Sequence, residues 1–265
     1  MAKRNWLRHE EECCEYLERK YSSERVVFCM QGGSDSGKSD IAVCISGELA
    51  FYVEAKMPAS QCGQFVLFPD EVNAQFLYSP HNRSPRGAAA DAIISEMNRN
   101  FDKFKIPSTK ELGLDRALYV NWIIEHYSLL GVKYFMTKSD DVVIFPIEKF
   151  GDYFDVTAVY RVKKSGSSNP GLRCVAMVER LLEERGVRYE NLRIEGKKLF
   201  VDIFGEASEF KISCDGVEFF FRKGQGDGYV VTKLSKTNNA NVIFSISLKR
   251  GADDKDIRLF ESELL

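Results

Sequence analysis

Between Ser39 and Lys56 two alternating runs stand on either side of Gly47, which limits this stretch to a β-hairpin. The large apolar residues are Ile41, Val43 and Ile45 in the first run, and Leu49, Phe51 and Val53 in the second. Burying both sets on one face requires Ile45 opposite Leu49, Val43 opposite Phe51, and Ile41 opposite Val53. That register puts Asp40 opposite Glu54 on the other face, with Cβ atoms about 5 Å apart. Lys56 follows on the same face. The register needs a Ser46-Gly47-Glu48 loop, because a simple Gly-Glu turn would shift the parity by one. A three-residue loop or a bulge accommodates the shift.

A carboxylate, a hairpin and then Glu-x-Lys is the PD-(D/E)xK pattern of metal-dependent nucleases, here Asp40, Glu54 and Lys56. Two carboxylates this close repel unless a positive charge sits between them. A hard cation with oxygen ligands fits, and Mg²⁺ is the expected one, held by Asp40, Glu54 and the Ala55 carbonyl. Such an ion would activate a water and stabilise charge developing on a phosphoryl group. Lys56 would orient or help deprotonate that water.

Residues 5 to about 21 have the apolar spacing of a helix, through Trp6, Cys13, Cys14, Leu17 and Tyr21. Glu10 falls on that apolar stripe, an unusual place for a carboxylate, and is a candidate to complete the metal's surroundings. Gln61 and Gln64 follow Lys56 on what reads as a short helix; Gln64 is a candidate to support the site and Gln61 to touch DNA. Strands are expected at 25–31, 39–46, 49–56, 133–137 and 141–146, and helices at 88–105, 117–130 and 174–185. The stretch 163–171 is loop-like, and the chain is strand-rich from about Leu192 onward.

Gly32-Gly33-Ser34-Asp35-Ser36-Gly37-Lys38-Ser39 matches the P-loop pattern letter for letter. A P-loop needs a helix after it, to present its amides to phosphate. The β-branched alternation of residues 40–46 predicts a strand, so Gly32–Ser39 is read as a turn. A nucleotide hydrolase using it is the remote alternative.

Composition excludes several classes. The chain has 265 residues, 44% hydrophobic and 29% charged, which is ordinary for a globular protein. No apolar stretch approaches the roughly 20 residues of a membrane span, and a cytoplasmic location is expected. Seven cysteines with no CxxC pair read as reduced thiols, and three dispersed histidines offer no zinc site. The net charge of −2 gives no global pull toward nucleic acid. The local candidates for DNA contact are Lys163, Lys164, Arg222, Lys223, Lys249 and Arg250.

The run Phe51–Leu67, FYVEAKMPASQCGQFVL, resembles the HhaI-type restriction endonucleases. The likeness continues at Tyr78–Asn82, Ile144–Glu148, Tyr160–Ser167 and Asn239–Lys249. The resemblance implies a type II enzyme that cuts double-stranded DNA at a short palindrome, with GCGC as the candidate site, alongside a cognate DNA methyltransferase. It also sets Asp40, Glu54 and Lys56 on that family's catalytic positions. The expected fold is α/β, a restriction-endonuclease-like mixed central sheet flanked by helices. The expected division is a catalytic core over 1–160 and a strand-rich C-terminal region over 161–265 that contributes DNA contacts and packs with the core. The alternative within the same fold is a less sequence-specific repair or resolving nuclease.

Overall fold

The computed structural model describes residues 2–31, 39–106, 108–139, 141–206, 208–214, 216–224 and 226–265. The chain opens with α1 (Ala2–Tyr21), then β1 (Val26–Met30), β2 (Ile41–Ile45), β3 (Glu48–Ala55), β4 (Ala59–Asp70) and β5 (Gln75–Tyr78). Helices α2 (Ala88–Arg99) and α3 (Phe101–Phe104) precede β6 (Thr109–Glu111) and α4 (Arg116–Leu129). Next come β7 (Val132–Lys138), β8 (Val142–Pro146), α5 (Phe150–Tyr153), β9 (Phe154–Lys164), β10 (Ser167–Ser168) and α6 (Val175–Glu184). Strands β11 (Arg188–Glu195), β12 (Lys198–Phe204), β13 (Phe210–Cys214), β14 (Val217–Lys223), β15 (Gly228–Leu234) and β16 (Asn238–Leu248) lead to α7 (Asp254–Glu263).

Two compact units result, one of residues 1–161 with 240–265 and one of 162–239. The C-terminal region expected over 161–265 is therefore divided. Its last 26 residues fold back onto the first unit, because β16 pairs with β4 and the Phe260 ring of α7 is buried against Phe51 and Tyr134.

The first unit holds two five-stranded sheets, ordered β1-β2-β3-β7-β8 and β5-β4-β16-β9-β6. The former is mixed, since β3 and β7 run parallel and its other pairs antiparallel. Cys13, Cys14 and Leu17 of α1 bury against Val26, Phe28, Ile41, Val43, Phe51 and Val53, the face that the alternation predicts.

Ile41 pairs with Val53 and Val43 with Phe51, as the apolar pattern requires. The turn differs from expectation. Ser46 and Gly47 both have positive φ, 53° and 85°, the sign pattern of a two-residue type I′ turn. Ile45 then pairs with Glu48 rather than Leu49, and Cys44 pairs with Leu49. A β-bulge between this end and the Val43–Phe51 pair restores the parity. The bulge turns Leu49 out of the apolar face, leaving it 53% exposed.

Residues 59–70 form a strand, not the short helix expected around Gln61 and Gln64. Cys62 and Phe65 are both buried, and their spacing of three imitates a helix. The cause is a register shift against β16: Ile243 faces Gln64 while Ser245 faces Gln61. Gly63, at φ +111°, lies in that irregularity. Helix 88–105 is likewise broken at Asn100 into α2 and α3. Residues 32–38 of the Gly/Ser run lie outside the described residues. After Ser39 and Asp40 the chain enters β2, so the helix that a phosphate-cradling loop requires does not follow. All seven cysteines are free thiols. Among the described residues no helix is long and apolar enough to cross a membrane.

The second unit is a sheet of order β11-β12-β15-β14-β13, with β10 paired to β15. Val178, Leu181 and Leu182 of α6 bury against Leu199, Val201, Ile203, Phe219, Phe221 and Val231. Helix α6 ends at Gly186, whose φ of +66° suits the C-terminal position glycine favours. The loop expected at 163–171 contains the end of β9 and the short β10, held by Ser165 N–H donating to the Thr237 carbonyl at 3.0 Å.

Candidate active site

One residue beyond the Ile41–Val53 pair, the hairpin brings Asp40 and Glu54 together. The Asp40 amide donates to Glu54 Oε2 at 3.4 Å, and the Ala55 amide donates to Asp40 Oδ2 at 3.0 Å. Both carboxylates are buried. Lys56 reaches back to bridge them, donating from Nζ to Asp40 Oδ2 at 3.3 Å and to Glu54 Oε1.

The Lys56 main chain is clamped on both sides. Its N–H donates to the Met136 carbonyl at 3.0 Å, and its carbonyl accepts from His9 Nε2, also at 3.0 Å. The ring of Tyr127, on α4, lies with its centroid 5.7 Å from Lys56 Nζ. His9 and Tyr127 carry no signal in the sequence, because each reaches the site only through packing of a helix on the sheet.

Glu10 arrives from α1, 6% exposed, with Oε2 lacking any hydrogen-bond partner. Burial, then repulsion from Asp40, pushes its pKa up to about 8 against the pull of Lys56. Burial likewise pushes Glu54 up to about 7, with Lys56 opposing and Asp40 adding to the rise. Burial works against the Lys56 ammonium, but Glu54, Tyr127 and Asp40 outweigh it and hold its pKa well above the ordinary lysine value.

These residues line one cavity of about 570 Å³, together with Gln61, Gln64, His81, Asn82 and His126. Gln61 and Gln64 thus line the cavity from a strand. Lys249 pairs with Asp155 at 3.6 Å, and Arg250 pairs with Asp253 and covers the Tyr153 ring. Neither lines the cavity. In the second unit, Lys164 pairs with Glu218 at 3.4 Å and Arg222 with Glu209 at 4.0 Å. Lys223 Nζ donates to the Glu206 carbonyl at 2.9 Å. Lys163 is exposed and has no polar partner among the described residues.

The donor set fits a hard cation. Glu10 presents a buried oxygen with nothing to bond, and two carboxylates rely on a single ammonium for compensation. Among the described residues no three His, Cys, Asp or Glu side chains form a ready-made metal cluster. The groups that would hold such a cation are Asp40, Glu54 and the Ala55 carbonyl, with Glu10 behind them.

No family model and no curated protein matches the chain. Among solved structures, an HhaI endonuclease in complex with DNA is similar, with 38% sequence identity and a TM-score of 0.65. The match covers 98% of this chain and 99% of that one. The chain belongs to the HhaI-type restriction endonucleases. In this HhaI-type chain the run Phe51–Leu67 spans the end of β3, which carries Glu54, and most of β4, which carries Gln61 and Gln64. The likeness extends through both units, and the fold is the restriction-endonuclease one.

Proposed function

We propose that this restriction endonuclease hydrolyses phosphodiester bonds of double-stranded DNA at a short palindrome, with GCGC as the candidate site and Mg²⁺ as cofactor. The observation that carries the reading is the Asp40–Glu54–Lys56 cluster at the wall of a cavity, in a chain similar over nearly its whole length to an endonuclease bound to DNA. Mg²⁺ held by Asp40, Glu54 and the Ala55 carbonyl would supply Lewis-acid stabilisation of the phosphoryl group and lower the pKa of a water.

The chain's own residues do the rest. Asp40 is oriented by the Ala55 amide, so it keeps its aim when Lys56 moves. Lys56 enters as an ammonium with three donors. It can release one carboxylate contact and donate to a phosphate oxygen, where charge grows in the transition state. The clamps from His9 and Met136 limit its main-chain freedom, which lowers the entropy of aiming it. Gln61 and Gln64 offer neutral donors to the DNA backbone along the cavity. Lys163 and the other basic candidates would add sequence-independent attraction. Pairing with a cognate methyltransferase in the cytoplasm belongs to the same reading.

The test is digestion of a fully sequenced phage DNA with Mg²⁺, followed by mapping of the ends. Discrete fragments ending at GCGC are expected. A smear would favour the less specific nuclease, and intact DNA would overturn the reading.

A further inference from the structure

His126 stands in the wall of the catalytic cavity, on α4 one residue before Tyr127. Its ring stacks on Trp122, with centroids 4.8 Å apart and planes 13° apart, and meets Tyr127 edge-on at 4.6 Å. Trp122 stacks in turn on Phe244 at 4.3 Å. A Cβ on Gly63 would come within 2.9 Å of the Trp122 ring, so the irregular stretch of β4 leaves room for this stack.

Nδ1 of His126 is fully buried with no hydrogen-bond partner among the described residues, which leaves Nε2 as the ring nitrogen able to face the cavity that the residue lines. A buried polar atom left unsatisfied is destabilising. A phenylalanine would fill the same stack without that cost. The other two histidines differ: His9 is bonded to the Lys56 carbonyl, and His81 is exposed. Burial, reinforced by Lys56, pushes His126 down to about 4, so at neutral pH the ring is uncharged with one N–H and one acceptor nitrogen.

We propose that His126 is a substrate-positioning residue whose Nε2–H donates to a backbone oxygen of the bound DNA strand beside the reacting phosphate. The inference rests on the nuclease reading above. Its geometric basis is an unpartnered imidazole, held rigid by aromatic stacking, in the wall that also carries Asp40, Glu54 and Lys56. A neutral donor adds aim without another cation beside Lys56.

The test compares wild type, His126→Phe and His126→Gln on one duplex carrying the cleavage site. Melting temperature, kcat, KM and the salt dependence of binding in Ca²⁺ are measured. His126→Phe keeps the stack and is expected to melt at or above the wild-type temperature, with kcat/KM about tenfold lower, the scale of one lost hydrogen bond. His126→Gln, which retains a neutral donor, should recover most of that loss. The slope of affinity against salt should match wild type, because no cation has been removed. Equal activity of His126→Phe and wild type would overturn the inference, as would a glutamine variant as impaired as the phenylalanine one. The ring ¹⁵N signals of His126 report the contact without any substitution: a shift on adding DNA in Ca²⁺ supports it, and unchanged signals overturn it. Absence of cleavage by every variant, wild type included, would overturn the nuclease reading and this inference with it.

Discussion

Lys56 supplies the positive charge on which Asp40 and Glu54 both rely. Lys56→Ala is expected to abolish cleavage of plasmid DNA while leaving a folded protein that binds DNA in Ca²⁺, because the loss falls on the transition state. Asp40→Ala should also abolish cleavage, by removing a proposed metal ligand. A Lys56→Ala variant that still nicks plasmid in Mg²⁺ would show that the site is misassigned. Glu10 leads to a pH prediction. Its folded pKa, about 8, lies above the ordinary carboxylate value. The native state therefore holds a proton that the unfolded chain has released, and stability falls as pH rises between about 4.5 and 8. Glu10→Gln should flatten that decline in the metal-free protein. Melting curves at pH 5.5 and 8 check this; parallel declines in wild type and variant would contradict it.

Among the elements, β4 depends most on one residue. Gly63→Ala would place a Cβ 2.9 Å from the Trp122 ring at φ +111°. The combined strain and overpacking should cost about 1–3 kcal/mol. Urea denaturation should show the midpoint falling with little change in slope; an unchanged midpoint would mean the strand relaxes freely. The same stretch explains why β4 was illegible. Its bulge sets Cys62 and Phe65 three apart on one side, a helical spacing produced by a strand. The hairpin of β2 and β3 was legible because Ile41, Val43, Phe51 and Val53 must share a face, whatever the turn does. The turn itself was not legible, since a three-residue loop and a two-residue turn with a bulge both satisfy that demand. Glu10 stood out as a carboxylate on an apolar stripe. His9 and His126 did not, because nothing in their neighbours along the chain distinguishes them.

At the scale of the molecule, the second unit interrupts the first between β9 and β16, which are neighbours in one sheet. Replacing residues 165–237 by a short glycine-containing turn is expected to leave the first unit folded, with a single cooperative melting transition. Loss of that transition would show that the first unit cannot fold without the insertion. In the whole chain, neutralising Lys163 and Lys164 together should weaken binding to every DNA sequence and flatten its salt dependence. A loss confined to one target sequence would instead make them readers of bases. The sequence alone determined the α1 stripe, the face of the hairpin and, through them, the meeting of Asp40, Glu54 and Lys56. Those features rest on local periodicity, and burial of one face leaves each little choice. Only the tertiary structure decided that β16 and α7 return to the first unit, that β4 passes Trp122 at Gly63, and that His9, Tyr127 and His126 surround the site. Each of these joins residues far apart in the chain, and their meeting depends on which faces pack against each other, a choice that no local spacing encodes.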